Sequence, residues 1–521
     1  MRAFVVISVV CIYALTVWAT PVKRFGVPVK AEDDCRGGAN FSTDVDDCQR
    51  FYICDHGWPK VRLCAAGSVW TPLLMRCELP ENAINDECGF VPPIPDNVAI
   101  DEVERADEAA QWLCADGNQR IAYHGVCDGF IQCDDGSDEA DCAEVCDPTN
   151  CRLPDCKCSS GEIPGELLAN EVPQLVLIGW DEAVRVEDYS HLYQQVFKKI
   201  TANRRRENRN NPNGCPAVGT FFVSHQFTDY AALQSLYSQG HEIASHSISK
   251  TLPAEYWETA TSEDVAAEYA GARKIFSNLA GIPESAVVGT RAAYLQTSGN
   301  EFVRTLTENG FGWDSSYATS QIDPPIWPYT FNFRSTAGCP VAPCPTASLT
   351  GFWEFPLVDW IDLNDTLCVN VDSCLFTEDK EEATTLLKTN FRRHYNTNKA
   401  PFTLNLRARW FYNDGYHNLE ALQEFLDELE AMDDVYIVTY SQAMNWIRNP
   451  VKMANLLDSD VFSCDYSDRT PLCDNLNLCG YANITYQPNS EDHPGDRFFQ
   501  TCSECPAVYP WTGNPDGVDQ S

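Results

Sequence analysis

Two acidic residues stand at the end of an apolar stretch near the middle of the chain. Leu175 to Ile178 form an unbroken apolar run, and Asp181 and Glu182 follow shortly after it. A run without alternation predicts a strand that is covered on both faces, as in a parallel sheet. Because parallel α/β proteins gather their chemistry at the carboxyl ends of strands, this acidic pair is a candidate site. The alternative is that Asp181 caps the following helix.

Five later segments carry further residues that could take part in chemistry. They are HEIASHSISK (241–250), GTRAAY (289–294), DSSY (314–317), PIWPY (325–329) and LNLRARWF (404–411). In this order they resemble the polysaccharide deacetylases, and the surrounding sequence resembles the arthropod chitin deacetylases. The resemblance implies an α/β fold with a distorted (β/α) barrel, and a metal-dependent amidase that removes acetyl groups from N-acetylglucosamine units. Apolar strands that alternate with helical stretches such as Ser262 to Leu279 agree with this fold.

The resemblance also implies a role for each position of the site. Asp181 would be the general base, Arg291 would orient it, and Glu182 and His246 would bind a metal ion such as Zn²⁺. Such a metal polarises the acetamide carbonyl and activates a water molecule. Tyr294, Asp314 and Trp327 would line or support the substrate groove, although each could equally belong to the core.

Two positions depart from the family pattern in a way that matters chemically. Lys250 stands where a second histidine ligand is expected, and an ammonium group has no lone pair to offer a metal. Arg407 stands in the general-acid position, and arginine stays protonated at any working pH. Glu182 for Asp and Ala293 for Pro are milder changes. We therefore expect hydrolysis to be lost or impaired, with the Lys250 ammonium group in place of the metal charge.

The alternation of residues 402–410 predicts a strand whose polar face points into the barrel mouth. Thr403, Asn405, Arg407 and Arg409 share that face. Together with Lys250 the two arginines would form a cationic cleft. Pairing of these cations with the buried acids Asp181, Glu182 and Asp314 is favoured over an anion-binding site.

The first residues of the chain and its cysteines indicate a secreted protein. Residues 1–19 contain Met1-Arg2, an apolar run and a small-residue exit, which is typical of a signal peptide. Of the 25 cysteines, one lies in that segment, and the remaining even number predicts disulfides. Asn40, Asn364 and Asn483 lie in glycosylation sequons. The net charge of −38 argues against nucleic acid and anionic membranes as partners, and nothing identifies a protein partner.

Residues 33–90 hold six cysteines in too few residues to build an adequate core without disulfides. Their spacing resembles the peritrophin-A chitin-binding domain, which implies chitin or another N-acetylglucosamine polymer as a partner. Exposed aromatic rings suit the flat face of such a polymer. The candidates, each of which could instead belong to the small core, are Phe51, Tyr52, Trp58 and Trp70.

Residues 113–143 resemble a low-density-lipoprotein-receptor class A module with four of the family's six cysteines. The resemblance implies a Ca²⁺ ion, for which hard oxygen ligands are suited. The implied ligands are Asp128, Gln132, Asp138 and Glu139. Because Gln132 stands where the family has Asp, we expect the calcium affinity to be weak.

The other segments complete the predicted organisation. Residues 91–112 form an acidic, proline-containing linker, 144–170 a cysteine-rich hinge, 171–450 the barrel and 451–521 a disulfide-pinned tail. Two main functions remain open. The chain is a chitin-binding matrix protein with impaired hydrolysis, or it is an active chitin deacetylase with an unusual metal set. A receptor-like binder that works through the calcium module is a third possibility.

Overall fold

The computed structural model divides into two units, and each is described by itself. The division lies after Arg105. In the first unit only the backbone of five strands is described. In the second, the described residues are 111–122, 126–127, 131–140, 142–200, 205–374, 377–412, 416–470, 475–484 and 495–519. The predicted signal peptide, Asn40, Asp128 and the side chains of Phe51, Tyr52, Trp58 and Trp70 lie outside the described residues.

The first unit contains short antiparallel strands. They are β1 (Phe41–Thr43), β2 (Arg50–Asp55), β3 (Trp58–Leu63), β4 (Val69–Thr71) and β5 (Arg76–Glu78). Strands β1, β2 and β3 form one sheet, and β4 pairs with β5. The backbone of the four predicted aromatic residues therefore lies on β2, β3 and β4.

The second unit begins with the predicted class A segment and the hinge. Strand β6 (Gln111–Leu113) pairs with β7 (Arg120–Ala122), and disulfides join Cys114 to Cys133 and Cys127 to Cys142. In the hinge, Cys146 bonds to Cys158 and Cys151 to Cys156. The prediction of disulfides is therefore confirmed for these eight cysteines.

The strands of the barrel region are mostly short. They are β8 (Gln174–Glu182), β9 (Lys198–Ile200), β10 (Arg206–Asn208), β11 (Thr220–Val223), β12 (Glu242–Ser245), β13 (Gly289–Thr290), β14 (Trp313–Asp314), β15 (Ala318–Thr319), β16 (Tyr329–Thr330), β17 (Trp353–Glu354), β18 (Leu357–Val358), β19 (Trp360–Ile361), β20 (Leu367–Cys368), β21 (Phe402–Leu406), β22 (Val435–Ile437), β23 (Asn477–Ile484) and β24 (Gly495–Thr501).

Helices connect most of these strands. They are α1 (Val186–Asp188), α2 (Gln194–Val196), α3 (Tyr230–Ser238), α4 (Glu255–Glu258), α5 (Ser262–Val265), α6 (Gly271–Ala280), α7 (Asn300–Glu308), α8 (Lys380–Tyr395), α9 (Arg409–Tyr412), α10 (His417–Glu430), α11 (Tyr440–Arg448) and α12 (Met453–Leu456). Single π-helical turns join α1 to α2 and α5 to α6. Within the described residues, the longest helix is α8, and no helix has the length and apolar character to span a bilayer.

One nine-stranded sheet forms the centre of the second unit. Its order is β16-β17-β14-β13-β12-β11-β8-β21, and β22 pairs with the start of β8. All pairs are parallel except β16 with β17. In the described part of the chain, no pairing of β16 with β21 closes the sheet. The fold is thus a distorted (β/α) barrel, as the sequence predicted.

Strand β8 shows why an apolar run without alternation is needed here. Val176, Ile178 and Trp180 pack into one hydrophobic cluster, and Leu175 and Leu177 into the other. Both faces of the strand are therefore covered, as expected for a parallel sheet between two layers. Burial of each large apolar side chain contributes on the order of 2 kcal/mol, so the register of β8 is firmly specified.

Two sequence expectations about local structure are wrong. The predicted strand to Trp410 ends at Leu406, and Arg409 begins helix α9. The second concerns the basic run of residues 204–209, which lies among Asn, Pro and Gly and is therefore predicted to be a solvated loop, whereas Arg209 is buried and forms an ion pair with Asp427. In both cases tertiary contacts, and not the local sequence pattern, decide the conformation of these polar residues.

The chain after residue 450 is fastened to the barrel by specific bonds. A disulfide joins Cys464 to Cys215, and a second one, between Cys479 and Cys505, closes the β23–β24 hairpin region. The Pro510 carbonyl accepts a 2.8 Å hydrogen bond from His225 Nε2, which is buried. His225 is thus a structural residue of the interface between the barrel and the tail.

Candidate active site

The carboxyl ends of neighbouring parallel strands bring the predicted residues to one place. Asp181 and Glu182 end β8, His246 follows β12, Arg291 follows β13 and Arg407 follows β21. They border a cavity of about 420 Å³, with His246 and Arg291 buried behind its wall. Its lining includes Asp181, Glu182, Lys250, Tyr294, Arg407 and Arg409.

Asp181 forms a buried ion pair with Arg291. Arg291 Nη1 lies 2.7 Å from Asp181 Oδ1, and the arginine side chain is fully buried. Its other nitrogens donate to the Ser315 carbonyl at 2.8 Å and to the Tyr440 hydroxyl at 3.1 Å. Burial raises the pKa of Asp181, but the charge and hydrogen bond of Arg291 and the other nearby basic groups together outweigh burial and lower it. Asp181 is therefore an ionised carboxylate, and the alternative that it caps a helix is wrong.

Gly179 leaves room for the side chain of Arg291. A Cβ atom at that position would lie 3.3 Å from Arg291 Nη1 and 3.2 Å from the ring of Phe222. The guanidinium carbon lies 3.7 Å from the centre of the same ring. The absence of a side chain on β8 thus lets Arg291 lie across the strand and reach Asp181.

One ring nitrogen of His246 donates a hydrogen bond, and the other carries a lone pair. Its Nδ1 lies 2.8 Å from the Arg291 carbonyl oxygen, which can only accept, so Nδ1 donates. In the neutral ring Nε2 then carries the lone pair. Burial, together with the nearby Lys250 charge, lowers the pKa of His246 to about 4. The ring is consequently neutral at physiological pH.

Glu182 is paired with Lys250. Lys250 Nζ lies 2.6 Å from Glu182 Oε1 and 5.2 Å from the centre of the Tyr294 ring. The Tyr294 hydroxyl in turn donates to the Lys250 carbonyl at 2.8 Å. Burial raises the pKa of Glu182, but the charge and hydrogen bond of Lys250 together with the nearby basic group of His246 outweigh it, and the net effect is a lowered pKa.

The backbone of this pair is strained. Glu182 has a φ of 95° and Lys250 a φ of 44°, a region that residues with a side chain rarely adopt. Tyr294, at 56°, shares this property. Such conformations cost about 1–3 kcal/mol each and persist where the surrounding structure fixes them, often at functional sites.

The residues here do not fit a metal bound as the family resemblance implies. The Glu182 carboxylate is engaged by an ammonium group, and that group has no lone pair for a cation. Across the described residues, the groups of three potential ligands within 4.8 Å of one another all include disulfide cysteines, and none lies at this cavity. Asp181, Glu182 and His246 therefore form an acid–imidazole cluster that is neutralised by Arg291 and Lys250.

Arg407 and Arg409 do not pair with the predicted acids. Arg407 Nε and Nη2 donate to Asp372 Oδ1 at 3.0 Å and 2.9 Å, and Arg409 Nε donates to Asp372 Oδ2. Asp372 is the residue that sequence reasoning missed. It lies 35 residues before Arg407, outside every motif, in a loop that the Cys368–Cys374 disulfide closes.

Of the three predicted groove residues only Tyr294 lines the cavity. Trp327 is fully buried beside Trp446, and Asp314 is fully buried and accepts a 2.6 Å hydrogen bond from Thr290 Oγ1. Trp327 and Asp314 are thus core residues, which is the alternative that the sequence left open for both. Burial raises the pKa of Asp314 to about 6.

Exposed aromatic and apolar side chains that no motif marks surround the cavity. Phe227 and Leu252 line it and are more than half exposed. Tyr412 donates a 2.5 Å hydrogen bond to Asp188, which also lines the cavity. The centre of the Tyr416 ring lies 6.1 Å from the centre of the Tyr412 ring. Such amphipathic rings at a cavity rim suit the apolar faces of sugars.

The class A segment contains a buried carboxylate with one unsatisfied oxygen. Asp138 Oδ2 accepts a 2.6 Å hydrogen bond from the Gln132 backbone, whereas Oδ1 is buried without a hydrogen-bond partner among the described residues. This oxygen fits the chemistry of a calcium ligand. Glu139 adjoins it in the turn Ser137–Glu139. Of the sequon residues within the described ranges, Asn364 is half-buried and Asn483 is exposed.

Comparisons with known proteins agree with this geometry. Residues 34–88 match the family model described as Chitin binding Peritrophin-A domain. Chitin deacetylase 8 of Bombyx mori is 35% identical over 380 residues, which cover 72% of this chain and 94% of that protein. Chitin deacetylase 1 of Bombyx mori is 35% identical over 433 residues, which cover 78% of this chain and 77% of that protein.

Solved structures resemble the chain more distantly. A provisionally named polysaccharide deacetylase from Mycobacterium smegmatis shares 18% identity and a TM-score of 0.35, and covers 56% of this chain and 95% of its own. A likeness at this level carries no argument about function, in contrast to the two sequence relatives. By the identity and extent of those relatives, the chain belongs to the chitin deacetylase family.

Proposed function

We propose that the protein is a secreted chitin-binding protein that organises extracellular chitin and whose deacetylase activity is lost or impaired. Family membership and the matched peritrophin-A domain support binding to chitin or a related N-acetylglucosamine polymer. The apolar, aromatic rim of the cavity supports sugar binding by the barrel as well.

The observation that carries the proposed loss of activity is the Lys250–Glu182 ion pair. The two side chains meet at 2.6 Å, where the family resemblance places a metal between a carboxylate and two histidines. A protonated lysine supplies the positive charge but cannot polarise a carbonyl or activate water as a metal does. Loss of a metal ligand costs on the order of 10²-fold or more in rate.

Arg407 supports the same conclusion independently. It occupies the general-acid position, and its guanidinium group makes two hydrogen bonds to Asp372. A permanently protonated group held by a carboxylate cannot give a proton to a departing amine and take it back. Removal of the general acid costs about 10²-fold or more by itself.

One observation favours the second candidate, an active deacetylase. Asp181 is ionised and held by Arg291, and His246 presents a lone pair on Nε2. A base and one metal ligand are thus in place. This candidate requires a metal, such as Zn²⁺, to displace Lys250 from Glu182.

Acetate release from N-acetylglucosamine pentamers, with and without Zn²⁺ or Co²⁺, distinguishes the two candidates. We expect no release by the wild-type protein and metal-dependent release by the Lys250→His, Arg407→His double variant. The matched control is Lys274→His, Arg304→His, because both residues form exposed pairs outside the cavity. Metal-dependent release by the wild-type protein would contradict the proposed loss of activity.

We also propose that the class A segment binds Ca²⁺ weakly. Asp128, Gln132, Asp138 and Glu139 would hold it, and the unsatisfied Asp138 Oδ1 supports this assignment. The sequons at Asn40, Asn364 and Asn483 are proposed glycosylation sites, in keeping with secretion.

A further inference from the structure

We propose that the mouth of the barrel cavity binds an oxyanion carried by a sugar, either a carboxylate or a sulfate, on the guanidinium groups of Arg407 and Arg409. The ligand class is an acidic glycan that contains N-acetylglucosamine. The inference rests on the proposed sugar binding by the barrel, and it holds whether or not hydrolysis survives.

The charged side chains that line the cavity and their ion-pair partners do not cancel one another. Among these side chains, four carboxylates each have a cation of their own, and a fifth cation remains. The pairs are Asp181 with Arg291, Glu182 with Lys250, Asp188 with Arg185, and Asp372 with Arg407 and Arg409 together. The unmatched charge therefore belongs to the two arginines that share Asp372. It stands out in a protein whose net charge is −38.

The arginines keep donors for a ligand. Asp372 uses both of its oxygens on Arg407 Nε, Arg407 Nη2 and Arg409 Nε. Neither terminal nitrogen of Arg409, nor Arg407 Nη1, donates to any described residue. The Arg409 side chain is 65% exposed, whereas the Asp372 side chain is 4% exposed. Both oxygens of the buried Asp372 carboxylate are thus engaged by the arginines, whereas the remaining N–H groups of the arginines are available at the cavity.

The arginines are also held in place before a ligand arrives. The loop that carries Asp372 is closed by the Cys368–Cys374 disulfide, and Val371 N donates to the Asn405 carbonyl on β21. Two guanidinium groups fixed on one rigid carboxylate lose little conformational entropy when they bind an anion. This is the arrangement in which arginine binds carboxylate or sulfate groups best.

The shape and lining of the cavity favour a sugar as the carrier of the anion. Its volume, about 420 Å³, lies in the range of small-molecule sites, and its rim offers the exposed rings of Phe227 and Tyr294. A sugar can place one face on such a ring while an acidic substituent reaches the arginines. A glucosamine unit, whose amine is protonated, would meet the unmatched positive charge and bind less well.

The test measures binding of four tetrasaccharides to the full-length protein by calorimetry. They are N-acetylchitotetraose, its 6-O-sulfated form, a hyaluronan tetrasaccharide and the fully deacetylated tetramer, which are neutral, sulfated, carboxylated and cationic. At low salt we expect at least one acidic tetrasaccharide to bind about tenfold more tightly than the neutral one, with the cationic one weakest. The advantage should shrink as salt is added.

Arg409→Gln localises the effect, because its exposed side chain can be replaced without leaving a buried charge. We expect it to remove most of the acidic advantage and to change the affinity for the neutral tetramer much less than the affinity for the acidic ones. Arg304→Gln, an exposed arginine outside the cavity, should change neither affinity. If the hyaluronan tetrasaccharide gains more affinity over the neutral tetramer than the sulfated one does, the anion is a carboxylate. The opposite order identifies a sulfate.

Three results would overturn the inference. Equal affinity for neutral and acidic tetrasaccharides would do so while leaving the proposed function intact, as would an acidic advantage that survives in Arg409→Gln. The Tyr294→Ala variant distinguishes a failure of this inference from a failure of the proposed sugar binding by the barrel. If it binds every tetrasaccharide as the wild type does, the proposed sugar binding by the barrel fails and this inference fails with it, whereas chitin binding by the matched peritrophin-A domain is not affected.

Discussion

The cavity has an inner half and an outer half that differ in how their charges are held. The inner half is Asp181, Arg291 and His246, which are all buried and each form at least one defined hydrogen bond. The outer half is Glu182, Lys250, Arg407 and Arg409, in which the side chains of Glu182 and Arg409 are 44% and 65% exposed. The residues that depart chemically from the family pattern, Lys250 and Arg407, both belong to the outer half.

Burial explains this difference. Replacement of one member of the inner half would leave an uncompensated charge away from water, which is strongly destabilising. In the outer half, water screens the charges, so new ion pairs can form at little cost to the fold. Cations such as Lys250 and Arg409 can therefore stand in the outer half while the barrel stays intact. Three variants, ordered by expected effect, test this contrast.

The largest effect is expected from Arg291→Met. It leaves the Asp181 carboxylate buried without its partner, and we expect the free energy of unfolding to fall by about 3–5 kcal/mol. Urea denaturation measures the change. Arg304→Met is the control, because that arginine is half-exposed and pairs with Glu301 within one helix turn. It should cost less than about 0.5 kcal/mol. Equal losses in the two variants would show that the inner pair is not special.

The pH dependence of stability tests His246. Its pKa is lowered to about 4 in the folded protein, against about 6.5 when exposed. Between these values the unfolded chain binds a proton that the folded protein does not, so stability is lost as pH falls through this window. Across it we expect His246→Gln to lose about 3 kcal/mol less than the wild type. Parallel profiles of unfolding free energy against pH would contradict a neutral, buried His246.

The smallest effect is expected from Lys250→Met. Because the Glu182 side chain is 44% exposed, water screens this pair, and the free energy of unfolding should fall by no more than about 1 kcal/mol. Lys388→Met is the matched control, since Lys388 pairs with Glu428 on the outer helices. A loss of the size expected for Arg291→Met would place Lys250 with the inner half and remove the contrast.

Local sequence was sufficient for much of the barrel. The apolar run of β8 predicted a strand covered on both faces, and the ordered motifs predicted that Asp181, His246, Lys250 and Arg291 would meet. These predictions succeeded because residues at the ends of parallel strands are brought together by the sheet itself. The predicted end of β21 was wrong because the alternation of polar and apolar residues continues past the point where helix α9 begins.

The partners of the cations could not be predicted from the sequence. Asp372 lies outside every motif, and its contact with Arg407 depends on how a disulfide-closed loop packs against β21. For Trp327 and Asp314 the sequence leaves two alternatives open, a place at the groove and a place in the core. Their depth in the sheet, which buries both, follows from the packing of β14 and the neighbouring loops.

The sequence by itself determined the family, the strand that carries the acidic pair, and the presence of Lys250 and Arg407 where the family resemblance implies histidines. Residue type alone limits what a lysine or an arginine can do chemically. Only the tertiary structure decided that Lys250 binds Glu182, that two arginines share Asp372, and that one positive charge remains at the cavity mouth. Pairing depends on distance and burial, which are set when remote segments pack together.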